Sequence, residues 1–202
     1  MTRTRPLAAV DRGRSRPPRW RVAVAWAALA CATPAHAQPA QVFDYELKAV
    51  YLLNFGRFAT WPPAAAGPRD DSFRICVVGR DPFGPSLDET VAGETIAGRP
   101  VEAARLSRAE DAAGCHVLFV SDSEDADLVA VLRSVETTGV LTVSDLPQFL
   151  ERGGMIQFVT ERSRVRFAVN LAAVERARLT LSSELLRVAI RVARDLSPEP
   201  ER

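Results

Sequence analysis

Phe73-Arg74-Ile75-Cys76-Val77-Val78-Gly79-Arg80-Asp81-Pro82-Phe83-Gly84 is the stretch on which the fold turns. Residues 73–78 are apolar except for Arg74, as expected of a strand buried on both faces. Gly79 closes the strand. Residues 82–91 read as a short helix, with Asp81 as N-cap and Pro82 at the first helical position, where a missing N–H costs nothing. A buried strand followed by a helix opens an α/β pattern, and the rest of the chain continues it.

Upstream, residues 43–58 read as an amphipathic helix. Leu47, Val50, Tyr51, Asn54, Phe55 and Phe58 recur at spacings of three and four. The helix stops before Trp61-Pro62-Pro63, and a loop rich in Ala, Gly, Pro and Asp follows. Downstream, 93–98 is a turn, 99–106 a strand, 107–113 a helical turn and 115–120 a third strand. Residues 123–136 form a helix with Leu128, Val131, Leu132 and Val135 on one face. A strand at 139–143 and a short helix at 145–152, ended by Gly153-Gly154, come next. Residues 155–159 and 165–169 are two strands across the polar turn Glu161-Arg162-Ser163, close enough in sequence for a hairpin. Helices at 171–178 and 182–194 follow, with Asn170 and Ser182 as caps. The expected fold is a single α/β domain over 38–196. Its sheet is mixed but mostly parallel, with helices on both faces and a late antiparallel hairpin. The Pro- and Glu-rich residues 197–202 are read as a disordered tail.

The first 37 residues carry a different signal. Arg3, Arg5, Arg12, Arg14, Arg16, Arg19 and Arg21 precede an apolar run at 22–31, and Ala35-His36-Ala37 follows. Basic region, short apolar region and small-x-small site are the order of a secretory signal peptide, with cleavage expected after Ala37. The apolar run falls well short of the roughly 20 residues that span a bilayer. An uncleaved anchor and a lipoprotein cut before Cys31 are the alternatives. Export to the periplasm is the expectation.

Removal of the leader changes the charge. Seven of the 26 basic residues and one of the 25 acidic ones lie before Gln38, so the remainder is net acidic. An acidic domain lacks the electrostatic footing for nucleic acid. After Gln38 only His116 remains among the histidines, and only Cys76 and Cys115 among the cysteines. No HExxH, GxSxG or CxxC occurs, so metalloenzyme and hydrolase readings are weak, and no catalytic residue, metal or cofactor is expected. His116, at the start of an apolar run, reads as structural.

Each remaining motif has two readings. Cys76 and Cys115, an isolated pair in an exported chain, suggest a disulfide; the alternative is two buried thiols. Gly79 to Gly84 joins a strand to a helix, where phosphates often bind, but it lacks both the GxGxxG and the GK[ST] pattern. Asp122, Glu124, Asp125 and Asp127 suggest a receiver-like acidic pocket or a divalent-metal site. They equally suit the start of a helix. Tyr51, Phe55, Phe58 and Trp61 form either a partner-facing stripe or part of the core.

Several segments together resemble the YfiR family, long carried as a domain of unknown function. They are Tyr51-Leu52-Leu53-Asn54-Phe55 with Trp61-Pro62; Ile75 through Gly84; Cys115-His116-Val117-Leu118-Phe119; Leu141-Thr142-Val143-Ser144-Asp145; Gly153-Gly154-Met155-Ile156; Phe167-Ala168-Val169-Asn170; and Leu179 through Leu186. The resemblance implies a periplasmic α/β domain that binds the sensor domain of an inner-membrane diguanylate cyclase and holds it off. Cyclic di-GMP then stays low and biofilm formation is restrained. It also implies that Cys76 and Cys115 match one cysteine pair of a redox-responsive relative, whose second pair, near 146–153, is absent here.

The expectation is therefore a non-enzymatic periplasmic regulator acting by protein–protein contact on a membrane sensor, with Tyr51, Phe55, Phe58 and Trp61 as contact residues. Homodimerisation is left open. The rival is a periplasmic small-ligand-binding or accessory protein for a sensor kinase or envelope system.

Overall fold

The computed structural model describes residues 39–62 and 71–194, all within the unit Gln38–Arg202. The expected leader at 1–37 and tail at 197–202 lie outside the described residues. In chain order the elements are α1 (Pro39–Phe58), β1 (Ala59–Thr60), β2 (Phe73–Val78), α2 (Pro85–Val91), β3 (Thr95–Ile96), β4 (Arg99–Leu106), β5 (Val117–Val120), α3 (Leu128–Val135), β6 (Leu141–Ser144), β7 (Ile156–Glu161), β8 (Arg164–Asn170), α4 (Leu171–Arg176), β9 (Thr180–Leu181), α5 (Ser183–Val188) and β10 (Arg191–Ala193).

Eight strands form one sheet in the order β10-β8-β7-β6-β5-β2-β4-β3. The ladders β4-β2, β2-β5, β5-β6 and β6-β7 are parallel; β8 returns antiparallel to β7, and β3 pairs antiparallel with β4. A second, two-stranded sheet pairs β1 with β9. The expected mixed, mostly parallel α/β fold with a late hairpin is the one observed. Between β7 and β8 the chain turns on Arg162 and Ser163, at φ 49° and 60°. Two left-handed residues match the right-handed twist of the strands they join.

Alternate side chains of β2 and β5 point to opposite faces of the sheet. Ile75, Val77, Val117 and Phe119 join the core under α1, α2 and α5, with Leu52, Phe55, Leu87 and Leu185. Cys76, Val78, Leu118 and Val120 join a second core under α3, with Leu128, Val131, Phe149 and Leu150. Gly154 lets that second core close, because a Cβ there would stand 2.2 Å from the Phe149 ring.

Several elements differ from the sequence reading. α2 starts at Pro85 with Gly84 as N-cap, not at Pro82. Asp81 is no cap: its Oδ1 accepts the Phe83 N–H at 2.8 Å, a local turn that delays the helix. Residues 145–152 form a series of turns instead of a helix, and Thr95–Ile96 within the expected turn is a short strand. The expected helix at 182–194 ends at Val188, and Arg191–Ala193 becomes an edge strand parallel to β8. The two caps stand as read. Asn170 Oδ1 accepts the Ala173 N–H at 3.1 Å, and Ser182 Oγ accepts the Leu185 N–H at 3.2 Å.

Candidate functional site

The chain leaves β2 for β4 on one side and returns to β5 on the other. That reversal opens a crevice beyond the carboxyl ends of β2 and β5, where open α/β sheets bind ligands. Here the protein fills the crevice itself. Ser121 Oγ donates to the Arg80 carbonyl at 2.6 Å, and Ser123 Oγ accepts the Arg80 N–H at 2.9 Å. Gly79, at φ +88°, makes room for this: a Cβ there would lie 2.4 Å from Ser123 Oγ. Arg105 braces the following loop, bonding Asp81, Asp88 and the Gly84 carbonyl. The Gly79 to Gly84 turn is thus held by its own chain.

A polar knot lies next to this edge. Asp145, just past β6, accepts hydrogen bonds through Oδ2 from Tyr45 OH at 2.8 Å and from Lys48 Nζ at 2.6 Å. Lys48 is 6% exposed, and its ammonium lies 4.1 Å from the centre of the Tyr45 ring. Burial pushes the Tyr45 phenol well above the usual tyrosine range, and the Asp145 carboxylate, through its charge and its hydrogen bond, adds to the shift. Tyr45 is therefore held protonated as a donor. The sequence reading missed Tyr45, Lys48 and Asp145 as a group. Their one sequence signal was a lysine amid the apolar residues of a helix.

A disulfide joins Cys76 of β2 to Cys115, with Cα atoms 6.0 Å apart and a sequence separation of 39. Cys115 precedes β5 instead of lying in it, so the bridge crosses to the chain entering that strand. On its other side the same entry is held by His116. That ring stacks on Phe73 at 4.4 Å, and its Nδ1 accepts the Arg74 N–H at 3.1 Å. Buried and bonded, His116 serves structure.

The acidic cluster does not cap helices through its side chains. Asp122–Glu124 form a single 3-10 turn, and Asp127 at the start of α3 makes no side-chain cap bond. Asp125 pairs with Arg152 instead. Among the described residues no group of three or more His, Cys, Asp or Glu is placed to hold a metal ion.

The four contact candidates separate. Phe55 is 0% exposed, enclosed against Phe158 and Phe167, so as a contact residue it is a correction: it belongs to the core. Tyr51 is half-buried against the same two rings. Trp61 is half-buried too, donating from Nε1 to the Gly139 carbonyl at 2.7 Å and meeting Phe73 edge-on. Phe58 is exposed, together with Leu47 and Val50. α1 therefore has two apolar stripes. The one that the spacing singled out is mostly the outer one, and Ala49, Leu52, Leu53 and Phe55 make the inner one.

The profile of the YfiR/HmsC-like family matches residues 45–190. No curated protein matches the chain. Among the solved structures similar to it, two share 12% identity each. A conserved domain protein from Vibrio cholerae O1 biovar El Tor has a TM-score of 0.47 over 59% of this chain and 54% of that one. The ABC domain in complex with L-Trp from Streptococcus pneumonia has a TM-score of 0.50 over 71% of this chain and 60% of that one. This chain thus spans less than two thirds of either, and the second likeness speaks to fold alone.

Proposed function

The chain belongs to the YfiR/HmsC-like family, and from that premise we propose that it is an exported regulator that binds and represses a membrane signalling protein, a diguanylate cyclase in the first instance. It acts by contact, not catalysis. Among the described residues no helix is long and apolar enough to cross a membrane. An exported regulator reaches the cytoplasm only through a spanning partner. The observation that carries the reading is the outer stripe of α1. Leu47, Val50 and Phe58 stand exposed on a helix whose other side is already packed. An exposed apolar stripe of this kind suits a partner surface better than it suits water. Binding represses only by preferring the partner's off state: a shift from 1:99 to 99:1 needs about 5.5 kcal/mol of preference.

The test is cyclic di-GMP in a deletion strain, together with capture of membrane proteins from envelope extracts by the purified chain. Deletion should raise cyclic di-GMP, and one membrane protein should be recovered, lost on Val50→Lys. Unchanged cyclic di-GMP with nothing recovered would overturn the reading. A second reading, a periplasmic small-ligand-binding protein, is favoured by one feature, an arginine-rimmed cavity beside α3.

A further inference from the structure

That cavity has a volume of about 270 Å3 and lies between α3, the Arg152-Gly153 turn and α4. Its origin is in the register of the sheet. β6 and β7 pair only at Val143↔Ile156 and Ser144↔Gln157. Thr142 is left beyond the ladder, and its Oγ1 accepts the Met155 N–H at 3.2 Å. The space beside Thr142 is walled by Leu132 and Met155 and bounded by Arg133, Arg152, Arg176 and Glu136. Among the described residues the Thr142 hydroxyl proton has no acceptor, and the Arg133 guanidinium has neither a hydrogen-bond nor an ion-pair partner.

The charges around the cavity do not cancel. Arg152 is held by Asp125 through its carboxylate and its carbonyl. Arg176 faces Glu136 at 3.9 Å. Arg133 is left with its charge uncompensated. One free guanidinium at the mouth, an apolar aliphatic wall and one buried hydroxyl define a complementary ligand. A guanidinium fork matches a carboxylate in bidentate geometry. A single surplus charge suits a monoanion over a dianion. An aliphatic wall suits an aliphatic body, and the volume lies at the small end for ligand pockets.

We propose that the cavity bounded by Arg133, Arg152 and Arg176 is a binding site for a small aliphatic monocarboxylate, its carboxylate on Arg133 and its body against Leu132 and Met155. This site requires no membrane partner, so it stands or falls apart from the repressor reading.

Calorimetric titration of the purified chain with hexanoate, hexanamide and inorganic phosphate tests it. Hexanoate should saturate one site per chain and bind at least about tenfold tighter than the isosteric hexanamide or phosphate, the margin expected of a charge-assisted fork. Arg133 is exposed, so Arg133→Gln should fold with an unchanged thermal midpoint and lose about tenfold in hexanoate affinity. Arg176→Gln provides a second variant on the opposite wall, with a smaller loss. Hexanamide binding as tightly as hexanoate, phosphate binding tighter than either, or Arg133→Gln binding unchanged would each overturn the proposal. So would an absence of heat with hexanoate at about 10 mM, beyond the millimolar range in which weak sites are read.

Discussion

Tyr45 and Lys48 reach Asp145 from a helix about a hundred residues away in sequence, and the three hold one another in place. A phenol whose folded pKa lies above the ordinary value near 10 stabilises the fold fully below pH ~10. That contribution is lost as pH rises toward the folded value. Unfolding free energy measured at rising alkaline pH should therefore fall more steeply in the wild type than in Tyr45→Phe. In an alkaline absorbance titration, one of the two tyrosines should ionise late, and Tyr45→Phe should remove that step. Asp145→Ala leaves the Lys48 ammonium buried without its carboxylate. A loss of about 3 kcal/mol is expected in urea unfolding, the lower end for breaking a buried pair. At this scale the sequence was legible where a residue acts on its own neighbours. Asn170 and Ser182 each accept a backbone N–H three residues on, and both caps are legible in the sequence. The Lys48–Asp145 pair and the three cavity arginines are not, because each depends on segments that only the folded sheet brings together.

At the scale of elements, α1 shows how an amphipathic pattern misleads. Apolar residues ring most of the helix, so spacing of three and four can be drawn along either stripe, and the pattern alone does not say which one is buried. Val50 is 43% exposed. Val50→Lys should change stability by no more than about 0.5 kcal/mol, the usual range for a surface site, and should abolish capture of the membrane partner. β10 was read as the end of a helix because Leu185 through Val192 offers apolar residues at either period. Pairing with β8, a tertiary contact, decides the matter. The disulfide ties β2 to the entry into β5, a parallel pair inside the sheet. The double variant Cys76→Ser/Cys115→Ser should lose about 2–4 kcal/mol in denaturant unfolding. Thiol titration of the denatured wild type should find neither cysteine free; two reactive thiols without added reductant would contradict the bridge.

The whole molecule was the most legible level. Strands alternating with helices predicted a mostly parallel sheet, and the close spacing of residues 155–169 predicted the hairpin. The strand order was not legible, because hydrophobic pattern says which segments are strands but not which neighbours they take. Export is proposed at this scale too: intact mass of protein recovered from the periplasm should begin at Gln38, and a lipid-bearing start at Cys31 would replace a free regulator with a tethered one. Ala59 pairs with Leu181 and Thr60 with Thr180, and β10, later still, closes the edge beside β8. The β1–β9 pairing ties the end of the first helix to a late element of the domain, so it forms only once most of the chain is present. Bringing such distant segments together must precede any reward from packing them, which places the domain among slow folders. A chain emerging gradually from a ribosome or a secretion pore lacks the partner strands that would lock it, and it stays threadable until its last residues arrive.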